Sequence, residues 1–128
     1  MIPGQNYDFK VSALNDYGYS DYSELITLLA AYIPDPPLDV ETIMDSANNR
    51  VYVSWFQDSD NGSPVTSYSV YVKISGAETY EQESVDCDGT NADVISNLSC
   101  FISLTTLTAA PFSLVGGDSV WVRVIATN

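Results

Sequence analysis

Apolar side chains recur at every second position along much of this chain. Tyr7, Phe9, Val11 and Ala13 alternate with Asn6, Asp8, Lys10 and Ser12. Val51, Val53 and Trp55 share one phase of Arg50 to Phe56, and Tyr68, Val70, Val72 and Ile74 share one phase of Thr66 to Ile74. A period of two belongs to a strand with one side on a core, and no stretch sustains a helical period. Further strands are predicted from Tyr22 to Ala31, Leu38 to Met44, Glu78 to Ser84, Cys100 to Leu104 and Ser119 to Thr127. Turn-forming residues cluster between them, in Asn15-Asp16-Tyr17-Gly18-Tyr19-Ser20, where Gly18 is free to take a positive φ, and in the polar loop Gln57 to Pro64. The chain reads as all-β. On the strand from Glu78 to Ser84, Glu81 and Glu83 share a face opposite Tyr80. That pattern protects a sheet edge against stray pairing, whereas a catalytic carboxylate pair would need a neighbour able to separate the two pKa values.

One strand is written twice. Gly4 to Asn15 recurs as Gly117 to Asn128, with the glycine, the alternation and the closing Ala-x-Asn at a constant offset of 113 residues. This marks an internal repeat and implies a chain that starts near the end of one module and stops just before the end of the next. Pro34-Asp35-Pro36-Pro37 cannot donate a regular ladder of hydrogen bonds and stiffens the backbone, so it reads as a short linker. The expected division is 1–33, the closing strands of a preceding module, and 34–128, a second module.

Seventeen acidic residues against four basic ones give a formal charge of −13. A nucleic acid would be repelled at every approach, and anionic membrane surfaces are disfavoured for the same reason. The longest apolar run, Leu25 to Ile33, is far short of the ~20 residues that cross a bilayer, so no membrane insertion is expected in this segment. No signal peptide opens the chain; if the parent protein is secreted, its signal is expected upstream of this segment. The absence of histidine removes the commonest general base, the usual zinc ligand and the His-dependent nucleophiles. A Ser-Lys pairing would have to use Lys10 or Lys73, both on the polar phase of alternating strands. No catalytic residue, metal or cofactor is expected.

Cys87 and Cys100 bracket the polar stretch Asp88 to Ser99 and are too few for a zinc site without other ligands. A disulfide is the stronger reading; it would close a loop for which chain entropy suggests about 3 kcal/mol, and it points to an oxidising compartment. Two glycosylation sequons agree, Asn97-Leu98-Ser99 and Asn61-Gly62-Ser63, the second weakened by Pro64. Asp58-Ser59-Asp60-Asn61-Gly62 begins like a calcium loop but lacks the twelfth-position glutamate and a following helix. Asp, Asn and Gly are also what a tight turn demands, and a turn is the stronger reading.

Together these residues resemble the fibronectin type III family. The resemblance rests on Trp55, on Asn61-Gly62-Ser63-Pro64-Val65-Thr66-Ser67-Tyr68, and on a late signature present twice. Its first copy runs from Met1 through Tyr7, Phe9, Val11, Ala13 and Asn15 to Gly18 and Ser20; its second runs from Leu114 through Val120, Val122, Val124 and Ala126 to Asn128. The resemblance implies an immunoglobulin-like β-sandwich with strands A, B, C, C′, E, F and G. Residues 1–33 would then hold strands F and G of one module, and 34–128 strands A to F of the next, without its own strand G. It also implies an extracellular or cell-surface spacer or adhesion unit. Tyr7 stands at the family's tyrosine-corner position, whereas the second copy has Val120, so that corner bond would be missing there. No Arg-Gly-Asp occupies the F–G turn, so integrin recognition does not carry over. The cysteine-bracketed segment lengthens the region before strand E and suggests a stapled subtype.

Leu25, Ile26, Leu28 and Leu29 make the second strand apolar on both phases, as expected of a strand covered on both faces. Either the adjacent module covers it, or it joins another copy's open sandwich by strand addition, which head to tail would propagate into a filament. Trp121 and Ile125 share the outward phase of the last strand. With Tyr17, Tyr19 and Tyr22 they are the candidate contact surface. Two functions follow as expectations: a non-catalytic structural or adhesive module, partnered by adjacent modules or copies of itself, and an accessory carbohydrate-binding module of a secreted enzyme, with glycans as partner.

Overall fold

The computed structural model describes residues 1–128. The first 31 residues form one long, irregular hairpin: β1 (Asn6–Phe9) pairs antiparallel with β4 (Ile26–Leu29), and β2 (Leu14–Asn15) pairs with β3 (Gly18–Tyr19) at the tip. Gly18 takes the expected positive φ, and the Asn15 carboxamide oxygen accepts from the Tyr17 amide across the turn. Between the two ladders, the hydroxyls of Ser20 and Ser23 accept from the amides of Ala13 and Val11. Side chains thus stand in where the backbone pairing is interrupted, so regular strand runs only over Ile26–Leu29 and not from Tyr22 to Ala31.

The rest of the chain builds two three-stranded sheets. In one, β5 (Leu38–Asp45), β6 (Arg50–Phe56) and β9 (Ser99–Ser103) lie in the order β5-β6-β9. In the other, β7 (Ser67–Lys73) lies between β8 (Tyr80–Glu83) and β10 (Val122–Thr127). All neighbours are antiparallel. The alternation read from the sequence sets what faces inward: Val51, Val53 and Trp55 of β6 meet Tyr68, Val70 and Val72 of β7 in a core completed by Cys100, Ile102, Leu107, Phe112, Leu114 and Val124. The rings of Trp55 and Tyr68 lie 5.1 Å apart at 59°, an edge-tilted contact between the sheets. Ile74 lies past the end of β7 and is only half-buried. This is an immunoglobulin-like sandwich of fibronectin type III type.

Two short helices depart from the all-strand expectation. α1 (Ala92–Asn97) starts where the Asn91 side chain caps the Asp93 amide, and α2 (Leu104–Thr108) where the Ser103 hydroxyl caps Thr106. Each is too short to show a period, and the caps hold them. A cis Ala110-Pro111 bond follows α2, before Phe112 and Leu114 enter the core.

Candidate functional site

The linker meets the loop between β6 and β7. Asn61 sits in the left-handed region with φ 53° and places its side-chain Nδ2 against two acceptors, the Ile33 carbonyl and the Asp35 carboxylate, each at 2.9 Å. Its own carbonyl accepts from the Tyr32 amide at 3.1 Å, and the Ser59 carbonyl accepts from the Asp35 amide at 3.0 Å. Gln57 Nε2 donates to the Asp35 and Ser59 carbonyls, and Asn128 Nδ2 to the carbonyls of Tyr32, Asp60 and Ser63. Pro34 is buried beneath them. Gly62 lies against the turn of Pro3 and Gly4 so closely that a Cβ there would fall on the Gly4 nitrogen. Hairpin, linker and sandwich therefore meet in one hydrogen-bonded joint. Within it, the Asp60 carboxylate accepts from the Gly62 amide and closes the turn expected of the loop from Asp58 to Gly62.

The internal repeat extends to hydrogen bonds. The Gln5 amide donates to the Ile2 carbonyl around a turn with Gly4 at φ 79°, and the Asp118 amide donates to the Val115 carbonyl around a turn with Gly117 at φ 95°. In the first copy the Ile2 amide donates to the Tyr7 hydroxyl at 2.8 Å, the tyrosine-corner bond. In the second, where Val120 has no hydroxyl, the matching Val115 amide donates to the Asp118 carboxylate at 3.0 Å. That bond, with another from the Ser75 hydroxyl at 2.7 Å, holds the Asp118 carboxyl below the usual carboxylate range.

Cys87 and Cys100 are joined. The bridge ties the loop after β8 to β9. Beside it the structure corrects one expectation. β8 is an edge strand and Glu81 is exposed, but Glu83 is only 2% exposed. The chain turns back after β8 so that the amides of Val85, Asp86 and Cys87 converge on its carboxylate, at 2.8, 3.0 and 2.7 Å. Three donors meet the need of a buried carboxylate, a structural anchor that strand alternation alone could not reveal. Asp86 in turn accepts from the Ser103 amide and from the Ser103 and Thr106 hydroxyls. Partial burial raises the Asp86 pKa, but these hydrogen bonds outweigh it and hold the carboxyl below its ordinary value.

All four cations have local partners. Lys10 lies over the Tyr22 ring, Arg50 bonds Asp45 and covers Phe101, Lys73 pairs with Glu78, and Arg123 lies over Tyr80. The Arg50 hydrogen bond, seconded by Asn48, depresses the Asp45 pKa. The two lysines that a Ser-Lys nucleophile would have needed are thus engaged as surface contacts.

The remaining candidates fall in separate places. Asn97 ends α1 and is exposed, whereas Asn61 is half-buried with its Nδ2 in the joint. Tyr17 and Tyr19 stand fully or largely exposed at the hairpin tip, and Tyr22 lies under Lys10. Leu25, Ile26, Leu28 and Leu29 are all more than half exposed, as are Trp121 and Ile125 at and beside β10. Val40, Val51, Val120 and Val122 line a groove of about 450 Å³ between β5 and β10.

No family model matches the chain. Over 100 residues, 78% of its length, it is 30% identical to human Fibronectin type III and SPRY domain-containing protein 2. The match takes in 12% of that protein, so the chain spans only a small part of the relative's length. The similarity supports a fibronectin type III-like domain, and with the fold it describes a non-catalytic binding or structural module. No helix is long and apolar enough to cross a membrane, and the disulfide points to an oxidising compartment.

Proposed function

We propose that the chain is a structural or adhesive segment of a tandem fibronectin type III array, outside the cell or on its surface. In this reading residues 1–33 are strands F and G of one module and 34–128 are strands A to F of the next. The observation that carries it is the joint. Small interfaces between modules ordinarily permit relative motion. Here Asn61, Asn128 and the apposed Gly4 and Gly62 bind hairpin, linker and sandwich together, as a spacer that transmits direction along an array requires. A Cβ on Gly62 would collide with the Pro3–Gly4 turn, so Gly62→Ala forces that turn away. Small-angle scattering is expected to give one narrow distribution of dimensions for the native chain and a broader one for the variant. Equal breadth for both would remove the support.

Carbohydrate binding is the second reading, favoured by the exposure of Tyr17 and Tyr19 at the hairpin tip. Aromatic faces free of neighbours suit stacking on sugar rings. Selective binding on a glycan array, lost in Tyr17→Ala and Tyr19→Ala, would favour it over the spacer.

A further inference from the structure

Asn61 ties the linker to the loop through its side-chain amide, and packing dictates the residue that follows it. A left-handed φ of 53° is a conformation that asparagine tolerates better than most residues. Nδ2 donates to the Ile33 carbonyl and to the Asp35 carboxylate, each at 2.9 Å, and an ionised aspartate in its place would have nothing to donate. Position 62 has no room for a Cβ against Pro3 and Gly4. The joint therefore demands Asn61-Gly62, the only Asn-Gly pair in the chain. An unhindered glycine nitrogen beside an asparagine side chain is also the arrangement most open to intramolecular attack. In the closed joint that attack is held off. The Gly62 amide donates to Asp60 Oδ1 at 2.9 Å, the Ser59 hydroxyl donates to Asn61 Oδ1 at 3.1 Å, and Nδ2 is engaged by both its acceptors.

We propose that Asn61 is a deamidation site whose conversion releases the joint irreversibly. When linker and loop part, the Gly62 nitrogen attacks the Asn61 side-chain carbonyl carbon. A C–N bond forms, the bond to Nδ2 breaks, and Nδ2 leaves as ammonia with the Gly62 amide proton. Water then opens the five-membered imide, at its side-chain carbonyl to give aspartate or at its backbone carbonyl to give isoaspartate. Either product sets a carboxylate where two acceptors need a donor, one of them the Asp35 carboxylate. Unpaired acceptors and facing like charges oppose reclosure. No cation offsets them, since Lys10, Arg50, Lys73 and Arg123 are engaged elsewhere. Isoaspartate also lengthens the backbone and carries Gly62 off its seat against Gly4. Local opening is thus recorded covalently, and the hairpin is freed from the sandwich.

The inference rests on the joint that carries the array reading, yet the two fail separately: the unconverted chain tests the joint, and the converted chain tests its release. Native chain and Asp35→Ala are incubated at mildly alkaline pH, and conversion at each asparagine is followed by peptide mass spectrometry and isoaspartate detection. Conversion is expected to concentrate at Asn61. Asp35→Ala keeps the Asn-Gly pair but removes one acceptor of Nδ2, and is expected to accelerate conversion several-fold over the native chain. Converted native chain, separated by ion exchange, is expected to lose hydrogen-exchange protection at the Tyr32 and Asp35 amides, whose acceptors lie across the joint, while Val53 and Val70 stay protected and report an intact core. Asn61→Asp is expected to behave as the converted chain does, and Asn61→Ala, which removes the donor without adding charge, to lose less protection. Conversion at Asn61 no faster than at the other asparagines, equal rates in native chain and Asp35→Ala, or full protection of Tyr32 and Asp35 after conversion overturns the proposal.

Discussion

Replacing Glu83 by alanine would leave three converging amides without an acceptor, the Cys87 amide among them fully buried. An unsatisfied buried donor costs roughly 1–3 kcal/mol, so Glu83→Ala is expected to lower the urea midpoint by a corresponding amount. Glu83→Gln, which keeps an acceptor oxygen, is expected to lose less, and an unchanged midpoint for the alanine variant would show that the anchor is dispensable. The two tryptophans separate as their strand phases predict. Trp55 is 5% exposed and Trp121 61%, so iodide is expected to quench Trp121 and spare Trp55. Alternation made both tryptophans legible, because a period of two assigns each residue a face. It gave Glu83 the face of Glu81 but not its burial, which depends on a chain reversal between β8 and the disulfide that no local pattern encodes.

Among the elements, β6 was readable to the residue because every inward position is apolar and a turn bounds each end. α1 and α2 were hidden for the opposite reason: each depends on one capping side chain, Asn91 or Ser103, in a stretch whose polar residues equally suit a loop. The disulfide fastens this segment to β9, and its reduction is expected to cost about 3 kcal/mol of stability, read as a drop in thermal midpoint. Asp86, Asp88, Asp118 and Asp45 add a pH dependence. Each has a pKa depressed in the folded state by hydrogen bonds, those to Asp88 coming from Thr90. The unfolded chain therefore binds more protons in the acid range, and the stabilisation, complete above the ordinary carboxylate pKa of about 4, is lost as the pH falls through the depressed values. Thermal midpoints are expected to drop on acidification below about pH 4, and less steeply in Asp118→Asn. An unaltered slope in that variant would remove Asp118 from the account.

For the molecule as a whole, the repeat and the proline linker were visible in the sequence, while the joint was not. Asn61 read as turn and sequon; its place among Ile33, Asp35 and Tyr32 arises only when the linker folds back over the loop between β6 and β7. The central claim is that this joint holds hairpin and sandwich in one fixed relation. Amide hydrogen exchange measures it most directly, because the amides of Tyr32 and Asp35 have their acceptors, the carbonyls of Asn61 and Ser59, across the joint. Both amides are expected to be protected in the native chain and to exchange freely in Gly62→Ala, while Val53 and Val70 in the core stay protected in each. Rapid exchange of Tyr32 and Asp35 in the native chain, beside a protected core, would contradict the account.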